Sequence, residues 1–357
     1  MKKISTSILL LIGVLFLQSC CINDCDEPIN EYNPTPYSLE IPSTLPPIAI
    51  PLDNPLTEEG VALGRMLFYD PILSGDETQA CASCHMQASG FTDSARFSTG
   101  IDGLQGGRNA MVAFNLAWSP TMFWDGRAGS LEEQALGPVI NPIEMHETWP
   151  NATEKLNVHS EYPDLFKKAF DIDEIDSNYV VKAIAQFERT LISGNSKWDK
   201  WIRGEVMLTE QELRGWDLFN IDGPYVGADC FHCHGAPHFT DFTFHNNGLD
   251  TDETFFDLGL YEVTESNLDK AKFKTPTLRN IEVSGPYMHD GRFTSLEEVV
   301  EHYNSGGHSS STVDPLMKNI GEGLLLSPED KLALVAFLRT LTDEEFLSNQ
   351  DFSNPFE

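Results

Sequence analysis

The chain is one structural unit written twice. Gly64-Arg-Met-Leu-Phe68 returns as Gly215-Trp-Asp-Leu-Phe219 after 151 residues, and Cys81-Ala-Ser-Cys84-His85 returns as Cys230-Phe-His-Cys233-His234 after 149. Asp125-Gly-Arg-Ala-Gly-Ser-Leu-Glu-Glu133 matches Asp290-Gly-Arg-Phe-Thr-Ser-Leu-Glu-Glu298 at an offset of 165. Ala183-Ile-Ala-Gln-Phe-Glu-Arg-Thr-Leu191 matches Ala333-Leu-Val-Ala-Phe-Leu-Arg-Thr-Leu341 at 150. Four anchors in one order at nearly constant spacing mark an internal repeat. A chain of 357 residues has room for two domains of ordinary size, one per copy.

Each copy has the same coarse layout. A helix is expected after a Thr-Glu start (Thr57-Glu58, Thr209-Glu210), with apolar residues at three- and four-residue spacing. The CxxCH follows, then a glycine-rich stretch, then a Ser-Leu-Glu-Glu helix capped by Ser130 or Ser295. A closing helix carries Phe187 or Phe337 on its apolar face. No stretch sustains strand alternation, so the expected fold is mostly α with loops. With 41% hydrophobic residues the chain can bury real cores.

The two CxxCH runs narrow the chemistry. A lone CxxC could be a redox dithiol or half a zinc site, but the adjoining histidine points to c-type haem. Two thiols three apart can add to both vinyl groups of one haem, and the next imidazole then falls under the iron. A zinc site would need four ligands at closed spacing, and 149 residues separate the pairs. Cys81, Cys84 and His85 are therefore read as holding a first haem; Cys230, Cys233 and His234 hold a second.

The N-terminus reads as an address. Met1-Lys2-Lys3 and the apolar run from Ile8 to Leu17 form a secretory signal too short to span a bilayer. Leu17-Gln18-Ser19-Cys20 looks like a bacterial lipobox, which would lipidate Cys20 and remove residues 1–19. Residues 20–55 are proline-rich and read as a tether. The protein is expected to be exported and periplasmic, with a lipid anchor through Cys20. Acidic residues outnumber basic ones 55 to 23, a formal charge of −32. That excludes a general nucleic-acid binder, which needs a basic face, and leaves a basic protein partner open.

On these residues the sequence resembles the bacterial di-haem cytochrome c peroxidase superfamily, MauG-like proteins included. The resemblance runs over roughly residues 50–345. Beyond the CxxCH pairs it rests on Phe123-Trp-Asp-Gly-Arg127, Gly137-Pro138 through Glu144-Met145, Thr275-Pro-Thr-Leu-Arg-Asn280 and Gly285-Pro-Tyr-Met-His-Asp-Gly291. It implies two tandem cytochrome-c-like domains, 56–200 with the peroxidatic haem and 201–345 with the electron-transfer haem, and a tail over 346–357. It implies that Glu144 lies over the first haem as acid/base, and that Trp124 sits between the haems, matched by His289 in the second copy. Calcium would be held by Asn109, Ser284 and Pro286, with water completing the shell. Arg279 would pair with a haem propionate or form a structural salt bridge.

Two departures from the usual peroxidase pattern follow from the same resemblance. Where many members carry a histidine that closes the first haem, the position falls on Ile101, so this haem is expected to be open as isolated. The second haem's distal ligand position falls on Tyr303, as in MauG, with Met288, His289 and His302 as nearby rivals. The leading expectation is an exported peroxidase reducing hydrogen peroxide with electrons from a small donor protein. The alternatives are a MauG-like oxidase acting on a partner protein and a non-catalytic di-haem electron carrier. Members of the superfamily often form homodimers.

Overall fold

The computed structural model describes residues 32–223 and 226–357; the leader and Cys20 lie outside them. The first half is built from α1 (Glu58–Tyr69), α2 (Leu131–Ile140), α3 (Trp149–Val158), α4 (Tyr162–Phe170) and α5 (Ser177–Thr190). A short α6 (Lys197–Ile202) leads to α7 (Glu210–Asn220), α8 (Tyr261–Thr264), α9 (Leu296–Ser305), α10 (Pro328–Arg339) and α11 (Glu344–Leu347). Strand content among the described residues is slight. β1 (Phe244–His245) pairs antiparallel with β2 (Phe273–Lys274) in the register Phe244 to Lys274. The chain is helix and loop, as its periodicity implies.

The helix starts follow from capping chemistry. Thr57, Ser130, Thr209 and Ser295 each accept a hydrogen bond from the backbone N–H three residues on, opening α1, α2, α7 and α9. Each such cap is worth about 1 kcal/mol, and acidic residues in all four first turns favour the positive end of the helix dipole.

Why the glycines of the repeat recur is a matter of contact. A Cβ on Gly64 would sit 1.9 Å from the carbonyl oxygen of Ala183, so α1 and α5 cross backbone to backbone. A Cβ on Gly215 would meet the carbonyl oxygen of Ala333 at 2.0 Å, the same crossing between α7 and α10. Phe187 and Phe337 flank the two crossings and are fully buried. The duplicated anchors are thus one helix-pair joint used twice.

Around each joint lies its own core: Leu63, Leu67, Val139, Leu156, Phe166 and Ile184 in the first half, and Trp198, Phe219, Phe239, Leu296 and Leu341 in the second. A further cluster mixes the halves, because Phe346 of α11 packs with Phe91 and Phe114. The tail beyond it stays on the first half, where Arg65 and Tyr69 donate to the carbonyls of Ser353 and Phe352.

From Pro34 the stretch read as a tether also lies on this body. Leu45 and Asn54 are buried, Thr44 donates to Asp199, and the Trp118 indole donates to the Pro46 carbonyl. Proline restricts φ but leaves carbonyls and neighbouring apolar side chains free to dock.

Candidate active site

Both CxxCH runs fold into the same short 3-10 turn, Cys81–Ser83 and Cys230–His232. The backbone N–H of His85 returns to the Cys81 carbonyl at 3.0 Å, and that of His234 to Cys230 at 2.9 Å. Each turn therefore presents two thiols and one imidazole together, and no disulfide ties up any of the four cysteines.

The histidines are held alike. His85 Nδ1 lies 2.9 Å from the Phe91 carbonyl, and His234 Nδ1 lies 3.0 Å from that of Phe239. A carbonyl only accepts, so each Nδ1 carries the proton and each Nε2 keeps its lone pair for a metal. Burial lowers both pKa values, which favours the neutral imidazole that ligation requires.

The second attachment turn opens into a cavity of about 220 Å³. Its wall joins Cys230, Cys233 and His234 to Leu296, Val300, Leu324 and Leu334, so a flat apolar macrocycle with thioether and imidazole bonds fits the donor set. Met288 and Tyr303 line this cavity as well. Asn247 Nδ2 donates to the Tyr303 hydroxyl at 3.2 Å and reaches the Met288 sulfur at 3.5 Å. Burial pushes the phenol up to about 12. The rival histidines are engaged elsewhere: His302 Nε2 meets the Asn247 carbonyl, and His289 stacks on Phe273 with centroids 3.6 Å apart.

Glu144 sits on the loop that folds back under α2. Asn141 ends that helix, and its Oδ1 accepts from the Ile143 N–H. Its Nδ2 is then left to donate to Glu144 Oε1 at 2.6 Å. Burial raises the Glu144 pKa, opposed by this hydrogen bond and by the Arg127 charge. Its charge in turn acts on both Cys81 and Cys84, so it lies within electrostatic range of the first attachment turn.

Ile101 is next to it, since the Ile101 N–H donates to the Glu144 carbonyl at 3.0 Å. No histidine comes between them. His146, two residues on, turns away to Asp102 at 2.5 Å.

Trp124 is buried between the halves. Its indole donates to the Asn109 carbonyl at 2.8 Å, and its own carbonyl accepts from the Lys274 N–H at 2.8 Å. It borders the second-half cavity and an adjoining cleft of about 80 Å³. Asn109, Ser284 and Pro286 line that cleft, so one residue of the first half shares a space with a turn of the second. The Asn109 amide nitrogen is engaged with the carbonyls of Ala95 and Arg96 at 3.2 Å, which leaves its oxygen for a ligand. Oxygen donors of this kind suit a hard cation.

Of the two roles open to Arg279, the geometry matches the salt bridge. Its guanidinium grips Asp199 of α6 at 2.8 and 2.9 Å, its Nε donates to the Pro237 carbonyl, and both charged side chains are 0% exposed. These contacts use three of the five N–H donors of the guanidinium.

Three residues near the site escaped sequence reasoning. Asn141 orients Glu144; its signal was an Asx turn three residues ahead of an acid. Asn247 links the two rival ligands. Lys274 is buried beside Trp124, donating to Ser119 and to the Thr121 carbonyl, and burial pulls its pKa down to about 8.

The di-haem cytochrome c peroxidase family model matches residues 58–207. The methylamine utilization protein MauG of Methylorubrum extorquens is 38% identical over 298 residues, 82% of this chain and 81% of its own. Cytochrome c551 peroxidase of Nitrosomonas europaea is 36% identical over 297 residues, 82% of each chain. A crystal structure of a MauG-like protein associated with microbial copper homeostasis superposes with a TM-score of 0.84 at 34% identity, covering 90% of this chain and all of that one. At these identities and lengths the chain belongs to the di-haem cytochrome c peroxidase family, peroxidase-type oxidoreductases built around two c-type haems.

Proposed function

We propose that this protein is an exported peroxidase that reduces hydrogen peroxide with electrons from a small cytochrome or another periplasmic donor. The observation that carries the reading is Glu144, a desolvated carboxyl oriented by Asn141 with Ile101 beside it, the position at which the family resemblance would otherwise lead one to expect a closing histidine.

Cys81, Cys84 and His85 hold the first haem within domain 56–200; Cys230, Cys233 and His234 hold the second within 201–345. Bound haem supplies the iron at which the O–O bond of peroxide is split. Glu144 takes the proton from the near oxygen and returns it to the far one, which leaves as water. Two electrons from donor molecules and two protons from solvent complete the reduction to two waters.

Tyr303 would ligate the iron of the second haem, with Met288 on the same cavity wall as its rival. Trp124 is the bridge between the two sites, supported by its place on both cavity walls. Asn109, Ser284 and Pro286 would hold a calcium ion in the cleft they share. Lipidated Cys20 holds the protein at a membrane surface, and two chains pair as a homodimer.

A second reading is a MauG-like oxidase that draws its electrons from side chains of a partner protein. Ile101 and Tyr303 favour it, because an open first haem and a hard phenolate both suit such chemistry. Turnover separates the two. Purified di-haem protein should oxidise reduced cytochrome c when peroxide is added, at two cytochromes per peroxide. Fast reaction with peroxide but no cytochrome oxidation would favour the second reading, and no reaction with peroxide would refute both.

A further inference from the structure

The two closing helices, α5 and α10, fill the same place in the repeat. Each crosses its partner helix at a glycine, and each carries a Phe-x-Arg-Thr-Leu run. One inward position sets them apart. On α10, Leu334 and Leu338 line the second-half cavity. On α5 their counterparts are Ile184 and Glu188, so the first half has a carboxyl where the second has a leucine.

Glu188 is only 6% exposed, and its Oε2 has no hydrogen-bond partner among the described residues. It lies near enough to Cys81 for its charge to act on that thiol. A buried, unpartnered carboxylate is costly, whereas a carboxylic acid at the same place costs far less and can donate a hydrogen bond.

We propose that Glu188 is a positioning residue of the first haem pocket, a buried acid near the Cys81 attachment point that, where it is ionised with the iron ferric, couples reduction of that haem to uptake of one proton. This rests on the reading that Cys81, Cys84 and His85 carry a haem. The balance is simple: ferric iron, one electron from the reductant, one proton from solvent and ionised Glu188 give ferrous iron and protonated Glu188. The new charge on the iron side is offset by the lost charge on the carboxyl.

Other charges around it do not replace it. Arg189 of the same helix is held bidentate by Glu132 of α2 at 2.8 Å on each arm, so that pair largely cancels. Glu144 faces the same attachment turn and titrates on its own account. His85 is kept neutral by burial, and the cysteines lose their protons on thioether formation. Burial pushes Glu188 up to about 8, which sets the window.

The test is a spectropotentiometric titration of the full di-haem protein with dithionite from pH 6.5 to 9.5, for wild type, Glu188→Gln and Glu188→Leu. In the wild type the first haem's reduction equilibrium should fall by about tenfold more across that range than in either variant, about 59 mV for one electron. The second haem should follow one curve in all three. Both variants keep Glu144, so its contribution is common.

If wild type and Glu188→Gln share one pH slope, the proposal is overturned. Redox-difference infrared spectra of the wild type need no variant: a protonated-carboxyl band should be gained on reduction near pH 9, where Glu188 starts ionised, and not at pH 6.5. No gain at pH 9 also overturns the proposal. A chain with haem only at Cys230 and Cys233 takes the parent reading down with it, whereas two haems with a flat first potential refute Glu188 alone.

Discussion

Replacing Glu144 by glutamine removes a proton carrier while leaving its shape and its single side-chain hydrogen bond. Asn141 Nδ2 can still donate to the amide oxygen of the new side chain, as it does to Glu144 Oε1 at 2.6 Å. Any loss is then chemical. A positioned acid/base contributes roughly 10²–10⁴-fold, or about 3–5 kcal/mol of barrier. Asn141→Ala sets the scale for orientation alone: one hydrogen bond is worth about 0.5–1.5 kcal/mol, a drop of up to about tenfold.

Stopped-flow absorbance of the oxidised protein mixed with peroxide reads both variants. Glu144→Gln should slow the peroxide step at least tenfold more than Asn141→Ala does. The sign with pH is fixed as well. Burial raises the Glu144 pKa, and the ionised form is the base, so the wild-type rate should rise with pH through a titration above the ordinary carboxyl range. Glu144→Gln should be flat there. Equal losses in the two variants, or a titration that survives in Glu144→Gln, would refute the assignment.

Other expectations follow from the same geometry. Gly64→Ala and Gly215→Ala each force a methyl against a backbone carbonyl and should cost about 1–3 kcal/mol in urea unfolding, by similar amounts in the two halves. Asp199→Asn leaves the wholly buried Arg279 poorly compensated and should destabilise by about 3–5 kcal/mol, without loss of haem staining. Tyr303→Phe should change the visible and EPR spectrum of the low-spin haem while Met288→Leu does not; the reverse pattern would make Met288 the ligand. Below a pH near 8, folded Glu188 holds a proton that the unfolded chain has released above about 4.5. Stability should therefore decline across that window in the wild type, and less so in Glu188→Leu.

Much of this was legible from local signals. The caps at Thr57, Ser130, Thr209 and Ser295 are side chains meeting the backbone three residues away, so spacing alone marks them. Gly64 and Gly215 were visible as repeat anchors, although only the crossing helices show why a side chain is barred. The attachment turns are likewise local.

What stayed hidden depends on distant partners. Phe346 reads as the start of a tail, yet its rings of contact are Phe91 and Phe114, more than 230 residues earlier. Arg279 carried a family motif, and nothing near it in sequence announces Asp199, 80 residues back. The shared cleft of Asn109, Ser284 and Pro286 likewise exists only once the halves are packed. Glu188 is a mixed case: its mismatch with Leu338 is plain in the aligned repeats, but only the packed fold shows that its Oε2 lacks a hydrogen-bond partner among the described residues.

The central claim is an open first haem served by Glu144, and one measurement reaches it directly. The fully oxidised protein, with no reductant, is mixed with one equivalent of hydrogen peroxide and followed by EPR and by the Soret and near-infrared bands. The starting EPR spectrum should show one high-spin and one low-spin ferric haem, and peroxide should abolish the high-spin signal within the mixing experiment. Two low-spin haems that ignore peroxide until one electron is added would contradict the claim and place a sixth ligand where Ile101 now leaves room.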